Sequence, residues 1–345
     1  MRRHVIQALT GMLTLLAVVC WTLPAGAKDF LYVPSVNTLQ IIDCDSDTVV
    51  EKLHYNDYII SAMLSPDGRK YYLNAVHSIY VVDTESNTLV DTHRFSSELN
   101  KVDILGFSVS GDGKQLYMSC AIVKKKQNIP RLNVLPPQFV IYDLASRKMV
   151  KNFPIPAAMT GVVTLRNDPD HVFLVGLDIH KLNLKTGKME KMMGILNPEE
   201  GQAPKNSLVI WQNNSPDDHG LFTNPFYTPT GMGYFVIDKN TGTLSTLEAK
   251  DVWFAYSTVV SPDKKYLYAV MDELIKVDMA TGETVKTIPL ETGTNYAVSI
   301  TSDGKKVYVG PAGADVSVYD AETLALKSVI PIASDGVAAH RLTKK

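Results

Sequence analysis

The amino-acid sequence predicts an all-β fold, a seven-bladed β-propeller closed by pairing of its N- and C-terminal strands. Three observations predict it. One phrase containing an acidic residue and a polar turn occurs seven times, a hairpin phrase recurs out of phase with it, and the chain ends in a strand that no complete repeat accounts for. A repeat of about 40 to 45 residues with turn signals in each unit is typical of four-stranded propeller blades.

The first phrase consists of apolar residues, an anchoring acid or amide, a short polar turn and further apolar residues, as in IIDCDSDTVV from Ile41. Successive anchors are 40, 60, 40, 55, 40 and 42 residues apart, so two of the intervals carry insertions. Seven anchors predict seven blades. The anchors are Asp43, Asp83, Asp143, Asn183, Asp238, Asp278 and Asp320.

The second phrase is a turn followed by an alternating apolar run, as in SPDGRKYYL from Ser65 and TSDGKKVYV from Thr301. Pro, Asp and Gly favour a tight turn, and the β-branched and aromatic residues after it favour a strand. Each unit therefore reads strand A, SPDG turn, strand B, strand C ending at the anchor, polar turn, strand D. In the second unit the four predicted strands span residues 58–64, 71–76, 78–82 and 89–95.

The two ends of the chain predict how the ring closes. The stretch KDFLYVPSVNTLQIID supplies only strands B and C before the first anchor, so the first blade lacks its innermost strand. After the seventh anchor, residues 336–342 (GVAAHRL) are a strand left over. We therefore expect residues 336–342 to pair beside residues 30–34 and latch the ring.

The first residues are typical of a secretory signal. Two Arg precede an apolar stretch from Val5 to Leu23, and Ala25-Gly26-Ala27 forms a cleavage site. We expect residues 1–27 to be a signal peptide, residues 28–345 to be the propeller, and the mature protein to be periplasmic. A retained membrane anchor fits the cleavage site less well, and no later segment has the roughly 18 apolar residues that a membrane-spanning helix needs.

Charge and cysteine content narrow the function. Without Arg2 and Arg3 the chain has 32 basic against 36 acidic side chains, a net charge of −4, which gives no electrostatic footprint for nucleic acid. Cys44 and Cys120 are the cysteines of the mature chain; an oxidising compartment permits a disulfide, although the predicted blades place them apart. No C-x-x-C-H motif for covalent haem attachment occurs.

Motifs that carry chemistry are missing. The zinc pattern H-E-x-x-H, the phosphate-binding P-loop and the G-x-S-x-G nucleophile elbow do not occur. The stretch GFSVSG from Gly106 spans a strand A and its turn, and Asp217-Asp218-His219 is the fifth copy of SPDG. The sequence therefore predicts no catalytic residue, metal site or cofactor site in this chain.

The two insertions are where the repeats depart from their pattern. Residues 121–138 lengthen the B–C connection of blade three, and residues 194–234 enlarge blade five with aromatic and amide side chains. Such a mixture suits a docking surface or pocket wall, although local packing over the blade would use the same residues. The candidates are Trp211, Asn213, Asn224, Phe226 and Tyr227, joined by Tyr256 and Tyr296 from the predicted A strands of blades six and seven.

The blade-five stretch NSLVIWQNNSPDDHGLFTNPFYT, the YDAETL turn and the long B–C connection of blade three resemble the β subunit of quinohemoprotein amine dehydrogenase. The resemblance covers the mature chain, and blade five is its most specific part. It implies a periplasmic heterotrimer that oxidatively deaminates primary amines. A small γ subunit would carry cysteine tryptophylquinone, a di-haem cytochrome α subunit would carry haem c, and the β propeller would hold γ against α.

Two other interpretations stay open. The repeat phrases alone are shared by YVTN-type propellers, so the chain could be a stand-alone periplasmic propeller that binds a protein or a ligand. The heavy subunit of methylamine dehydrogenase is also a propeller beside a quinone subunit, but the blade-five stretch fits it less well. Partner chains with quinone or haem absorption would distinguish an enzyme subunit from a stand-alone propeller.

Overall fold

The computed structural model describes residues 27–128, 130–207, 219–310, 312–336 and 338–344. All regular secondary structure in this part of the chain is β-strand. No helix in these residues is long and apolar enough to cross a membrane. The predicted signal peptide, apart from Ala27, lies outside the described residues.

The strands form seven antiparallel sheets, one for each predicted blade. In chain order they are β1 (Lys28–Ser35), β2 (Thr38–Asp43), β3 (Thr48–His54), β4 (Ser61–Leu64), β5 (Lys70–Asn74), β6 (Ser78–Asp83), β7 (Thr88–Arg94), β8 (Asn100–Val109), β9 (Gln115–Lys125), β10 (Leu132–Val134), β11 (Gln138–Asp143), β12 (Lys148–Pro154), β13 (Gly161–Thr164), β14 (His171–Val175), β15 (Asp178–Asn183), β16 (Met189–Gly194), β17 (Leu221–Thr228), β18 (Gly231–Asp238), β19 (Thr243–Glu248), β20 (Ser257–Val260), β21 (Tyr266–Val270), β22 (Glu273–Asp278), β23 (Thr284–Pro289), β24 (Ala297–Ile300), β25 (Lys306–Gly310), β26 (Asp315–Asp320), β27 (Leu326–Pro331) and β28 (His340–Lys344).

The blades follow the predicted order A to D from the centre of the ring outward, as in β4-β5-β6-β7 of blade two. Strand A of this blade begins at Ser61 rather than at Tyr58, and the other three strands differ from the prediction by no more than two residues at either end. Blade five shows β17, β18 and β19 as its strands B, C and D. The segment before the SPDD turn at Ser215, where the repeat order predicts strand A, and that turn lie largely within residues 208–218, which are outside the described residues. The seven-bladed propeller fold is thereby confirmed.

Seven apolar layers lie between neighbouring blades, and together they close the ring. Strands B and C are buried on both faces because each face packs on another blade, whereas the outermost strands are largely exposed. The layer between blades one and two contains Tyr32, Leu39 and Tyr71, and the layer between blades seven and one contains Leu31, Val316 and Val318. The core is therefore distributed around the ring.

Tyrosines of strand B join each of three blades to the next one. Tyr268 Oη donates to the backbone carbonyl of Ala321, and Tyr308 Oη donates to that of Cys44 (2.7 and 3.2 Å). Tyr32 Oη reaches the carbonyl of Thr84 in the same way (3.3 Å). In each case the tyrosine ring packs in the layer between two blades, and its hydroxyl reaches the residue that follows the anchor of the next blade. One strand-B position thus supplies both packing area and a polar link between blades.

The predicted latch is confirmed. Strand β28 pairs antiparallel with β1, with Phe30 opposite Leu342 and Tyr32 opposite His340, and Gly336 forms a bridge to Ser35. The C-terminal strand thereby occupies the innermost position of blade one, in the order β28-β1-β2-β3.

Buried polar groups reinforce the latch on both sides. Asp29 accepts hydrogen bonds from Thr343 Oγ1 and from the backbone N–H of Ser302 in blade seven, each at 2.6 Å, and Arg341 lies 3.7 Å from the same carboxylate. On the blade-two side, Tyr71 Oη lies 2.6 Å from His340 Nδ1. The closing strand is therefore tied to both neighbouring blades as well as to β1.

One expectation needs correction. The blade-three insertion, read from the sequence as a lengthened connection, is partly strand, because β9 continues to Lys125 and pairs there with the start of β8 and with β10. The disulfide that the sequence left possible is not formed, because Cys44 and Cys120 are free and lie in different inter-blade layers. Burial raises the pKa of each thiol to about 12, so neither is poised to react.

Candidate docking face

The antiparallel strand order gives the ring two different ends. The A–B and C–D turns of every blade lie at one end, which we call the turn face. The B–C and D–A connections lie at the other end, which we call the insertion face because the lengthened B–C connection of blade three and the long connection after β16 (residues 195–207) lie there. The two faces differ in whether their side chains form the repeated turns or are exposed without a role in the repeat.

On the turn face the polar side chains of the recurring SPDG phrase form hydrogen bonds within their own turn. In blade two Ser65 Oγ donates to Asp67 Oδ1 at 2.6 Å, and the same carboxylate oxygen accepts from the backbone N–H of Arg69. Blades three, six and seven repeat this arrangement, at Asp112, Asp263 and Asp303. These hydrogen bonds lower the pKa of Asp67, as expected where donors stabilise the charged form.

The anchoring residues are also turn formers. Asp83 Oδ1 accepts from the backbone N–H groups of Glu85 and Ser86 and from Ser86 Oγ. Asp320 and Asn183 hold their own turns in the same way. The Lys70 ammonium and the Ser86 donors hold the pKa of Asp83 well below its usual range. The phrase thus recurs because each blade needs one side chain to close its C–D turn, so it indicates no catalytic role.

A cavity of about 490 Å³ occupies the central channel toward the turn face. Its walls include apolar side chains such as Leu64, Leu165 and Leu342, and Arg166 and Lys239 stand among its lining residues. The cavity is large enough for a small molecule.

The insertion face carries exposed apolar side chains that the repeat does not require. Val252 and Phe254 are 62 and 61% exposed, and Tyr58 is 50% exposed. The SPDG and C–D turns of the turn face expose no comparable large apolar side chain among the described residues. Other exposed members on the insertion face are Val36, Leu99, Leu132, Val134, Leu177 and Leu196.

Aromatic side chains group on this face at the end of strand B of blade five and just before strand A of blades two, six and seven. The rings of Tyr227 and Phe254 are 5.3 Å apart, and those of Tyr256 and Tyr296 are 5.5 Å apart. Tyr227 Oη accepts a hydrogen bond from the backbone N–H of Ala255 at 3.0 Å, which fixes the connection bearing Phe254. Partial burial, followed by the nearby Asp335 and Tyr296, raises the pKa of Tyr58. We call Tyr58, Tyr227, Phe254, Tyr256 and Tyr296 the aromatic group.

The other predicted site residues lie elsewhere. Asn224 is fully buried and donates to Ser207 Oγ at 2.7 Å, while Phe226 is 3% exposed and packs in the layer between blades four and five. Since Phe226 and Tyr227 are adjacent in β17, they point to opposite faces of the blade. Asn224 and Phe226 therefore position β17. Trp211 and Asn213 lie outside the described residues.

The sequence prediction missed Tyr58 and Phe254. A signal existed for Tyr58, since a tyrosine immediately precedes or closely approaches strand A in blades two, six and seven. Phe254 carried no such signal. Its neighbours Trp253 and Ala255 are also apolar, and only the fold shows that they are buried whereas Phe254 faces solvent.

The described residues contain no cluster of three or more His, Cys, Asp or Glu side chains that could hold a metal ion. The buried histidines are individually engaged. His93 Nδ1 lies 3.1 Å from Tyr142 Oη, and burial lowers its pKa.

Among solved structures, similar chains include a functionally unknown protein from Desulfotomaculum acetoxidans (TM-score 0.60, 10% identity, covering 91% of this chain and 98% of that one). The dihydro-heme d1 dehydrogenase NirN is also similar (TM-score 0.55, 14% identity, 91 and 74%). Hydrazine synthase from Kuenenia stuttgartiensis is a third (TM-score 0.54, 15% identity, 87 and 90%). At these identities the likeness shows the fold alone.

No protein-family profile matches the sequence, and no curated protein matches it either. The chain is therefore placed as a seven-bladed propeller whose distant structural neighbours include chains of redox enzymes.

Proposed function

We propose that this chain is the cofactor-free β subunit of a periplasmic quinohemoprotein amine dehydrogenase. In this proposal the propeller holds a small quinone-bearing γ subunit against a di-haem cytochrome α subunit. The observation that carries the proposal is the aromatic group on the insertion face, which leaves large apolar side chains exposed where the repeat does not need them. Exposed apolar patches of this kind mark interaction sites.

The resemblance in blade five gives the proposal its specific form. Tyr227, which belongs to that stretch, is a member of the aromatic group, and its hydroxyl fixes the connection that presents Phe254. The neighbouring chains named for redox enzymes support an enzyme-associated propeller in general terms.

The chemistry divides between the chains as follows. The quinone of the γ subunit would supply the electron sink for amine oxidation. This chain would shape the approach to it, because partly exposed tyrosines can bury further area at low entropy cost. Apolar walls around a reactive group also exclude water. Tyr227, Tyr256 and Tyr296 are the residues we assign to that wall.

The direct test is to purify the tagged mature chain from the periplasm of its host and record a visible spectrum. We expect co-purifying chains with quinone and haem absorption that is altered by adding a primary amine. A colourless chain recovered alone would contradict the proposal.

The same chain produced alone should be soluble, colourless and unable to oxidise amines. This expectation follows from the missing haem-attachment motif and the two buried, unreactive thiols. The measurement is dye-linked amine oxidation by the single purified chain. Oxidation of an amine by this chain alone would contradict the assignment of the redox chemistry to the partner subunits.

A second candidate is a stand-alone periplasmic binding propeller, and the central cavity is the observation that favours it. With Arg166 and Lys239 among its lining residues, an anionic small molecule is the ligand class it suits. The chain would then purify without partners, and replacing Lys239 with Glu would abolish binding of that ligand.

A further inference from the structure

The blade-three insertion builds a protrusion on the insertion face, which we call the wing. It consists of the first half of β8 (residues 100–103), the second half of β9 (residues 121–125), residues 126–128 and 130–131, and β10. The pairs Lys101↔Val123 and Val134↔Val123 align its three strands. Val102 and Ile122 anchor the base of the wing in the layer between blades two and three.

The strand register assigns each wing side chain to one of two sides. Residues directly opposite each other point the same way, and successive residues alternate. Val123 therefore shares a side with Lys101 and Val134, and Lys125 shares that side with Leu132. Tyr117, six residues before Val123 on the same strand, packs toward blade four, so this side of the wing faces the space over blade four. We call it the inner side of the wing.

The inner side is apolar in its middle and open to solvent. Leu132 and Val134 are 62 and 69% exposed, and Val123 is partly exposed. The insertion-face turn of blade four below exposes Leu177. Val123, Leu132 and Val134 therefore form an exposed apolar strip on the inner side of the wing.

The tip of the wing is strongly basic. Lys124, Lys125, Lys126 and Arg131 follow one another around it, and no carboxylate lies within ion-pair distance of these four among the described residues. Elsewhere on the insertion face acidic side chains predominate over blades six, seven and one, including Asp251, Asp272, Glu291 and Asp335. The chain as a whole is acidic, so the positive tip is a local departure from its average.

The shape of the wing favours a polypeptide over a membrane. Its apolar strip lies on the side of β9 that faces blade four, and the basic residues lie at the tip. The outer edge of β10 pairs with no strand in the described part of the chain, and a free strand edge offers main-chain donors and acceptors that another chain can use.

We propose that the wing docks an acidic surface of a partner subunit, with the apolar strip packing on an apolar centre of that surface. This inference rests on the proposed function for the existence of a partner, and it adds which surface is used and what the partner presents. Charges around an apolar centre steer association and set register.

The test compares complexes purified from the host through a tag on this chain. One wing variant reverses charge (Lys124→Glu/Lys125→Glu/Lys126→Glu) and a second removes the apolar strip (Leu132→Ser/Val134→Ser). Dilution series in the analytical ultracentrifuge at low salt should show about tenfold or greater weakening of one partner's binding in both variants. Only the charge-reversal variant should lose salt sensitivity.

The matched control reverses three lysines of the turn face, Lys114→Glu/Lys265→Glu/Lys305→Glu, whose side chains are 77, 72 and 78% exposed. It changes the net charge equally and should assemble like the wild type. Wing variants that assemble as tightly as the control would overturn the wing proposal and leave the proposed function standing. Wild-type chain recovered without partners would overturn both.

Two further results would also overturn it. Flotation on vesicles containing anionic phospholipid that depends on the wing, with assembly intact, would assign the wing to a membrane. A dimer of the isolated chain that the charge reversal dissociates would assign it to a second copy.

Discussion

The turn face and the insertion face are built by the same seven repeats, yet they differ in what they leave exposed. On the turn face the serine, aspartate and asparagine side chains bond within their own turns, as Ser65 and Asp83 do. On the insertion face Phe254, Val252 and Leu132 are exposed without any need of the fold. The recurring residues of this chain therefore build the scaffold, and the residues outside the repeat are the ones to which we assign the proposed function.

The largest loss of stability is expected from removing the latch that closes the ring. Deleting residues 336–345 removes β28 and exposes the edge of β1. It also leaves Asp29 without Arg341 and Thr343. We expect a loss of at least about 4 kcal/mol in the free energy of unfolding, given the cost of breaking buried ion pairs and emptying apolar sites. Urea denaturation measures it, and an unchanged midpoint would show that the ring does not depend on the latch.

A smaller effect is a pH dependence that originates in the latch. Burial lowers the pKa of His340 from its ordinary value of 6.5 to about 3. As pH falls below 6.5 the unfolded chain binds a proton that the folded chain does not, so stability is lost between pH 6.5 and 3. At pH 5 the loss from this residue is about 2 kcal/mol.

The variant His340→Gln tests this pH dependence, because glutamine keeps a hydrogen-bonding side chain beside Tyr71 but does not titrate. Unfolding free energies at pH 7, 6 and 5 should decline less steeply in the variant, by about one bound proton. Parallel curves for the two proteins would show that His340 is not the titrating group.

An effect of about 1 to 2 kcal/mol is expected from a single link between blades. Tyr308 Oη donates to Asp47 Oδ1 at 2.6 Å as well as reaching the Cys44 carbonyl, and Lys306 bonds the same two residues. Tyr308→Phe keeps the ring in the apolar layer and removes only the hydroxyl. Thermal unfolding measures the loss, and Tyr266→Phe, at a half-buried ring on the equivalent strand of blade six, is the control.

The smallest effect on stability should come from the insertion face itself. Phe254→Ala removes a ring that is 61% exposed, so unfolding should change by less than about 1 kcal/mol. The same variant should weaken partner binding or raise KM for amines in the purified complex. Tyr227→Ala and Trp211→Ala should act in the same direction. Wild-type assembly and kinetics in all three would show that these residues pack only locally.

The fold could be predicted from the sequence because its signals are local. Each anchor closes a turn through atoms two or three residues away, and alternation within five residues is enough to identify a strand. The latch was predictable for a related reason, since one strand was missing at the start and one was left over at the end.

The candidate site was less predictable because exposure depends on distant packing. Phe226 and Tyr227 look alike in sequence, but the register of β17 buries the first and leaves the second partly open. The wing escaped prediction because its lysine run breaks the alternation of β9, although the strand continues as far as Lys125.

Amide hydrogen exchange, measured in this chain alone and in the complex purified from its host, would show which face of the ring a partner covers. We predict slower exchange on assembly at the insertion face, in residues 56–60, 132–135, 252–256 and 294–296. The amides of the SPDG and C–D turns should exchange at the same rate in both samples. Protection concentrated on the turn face, with the insertion face unchanged, would contradict the assignment of function to residues outside the repeat.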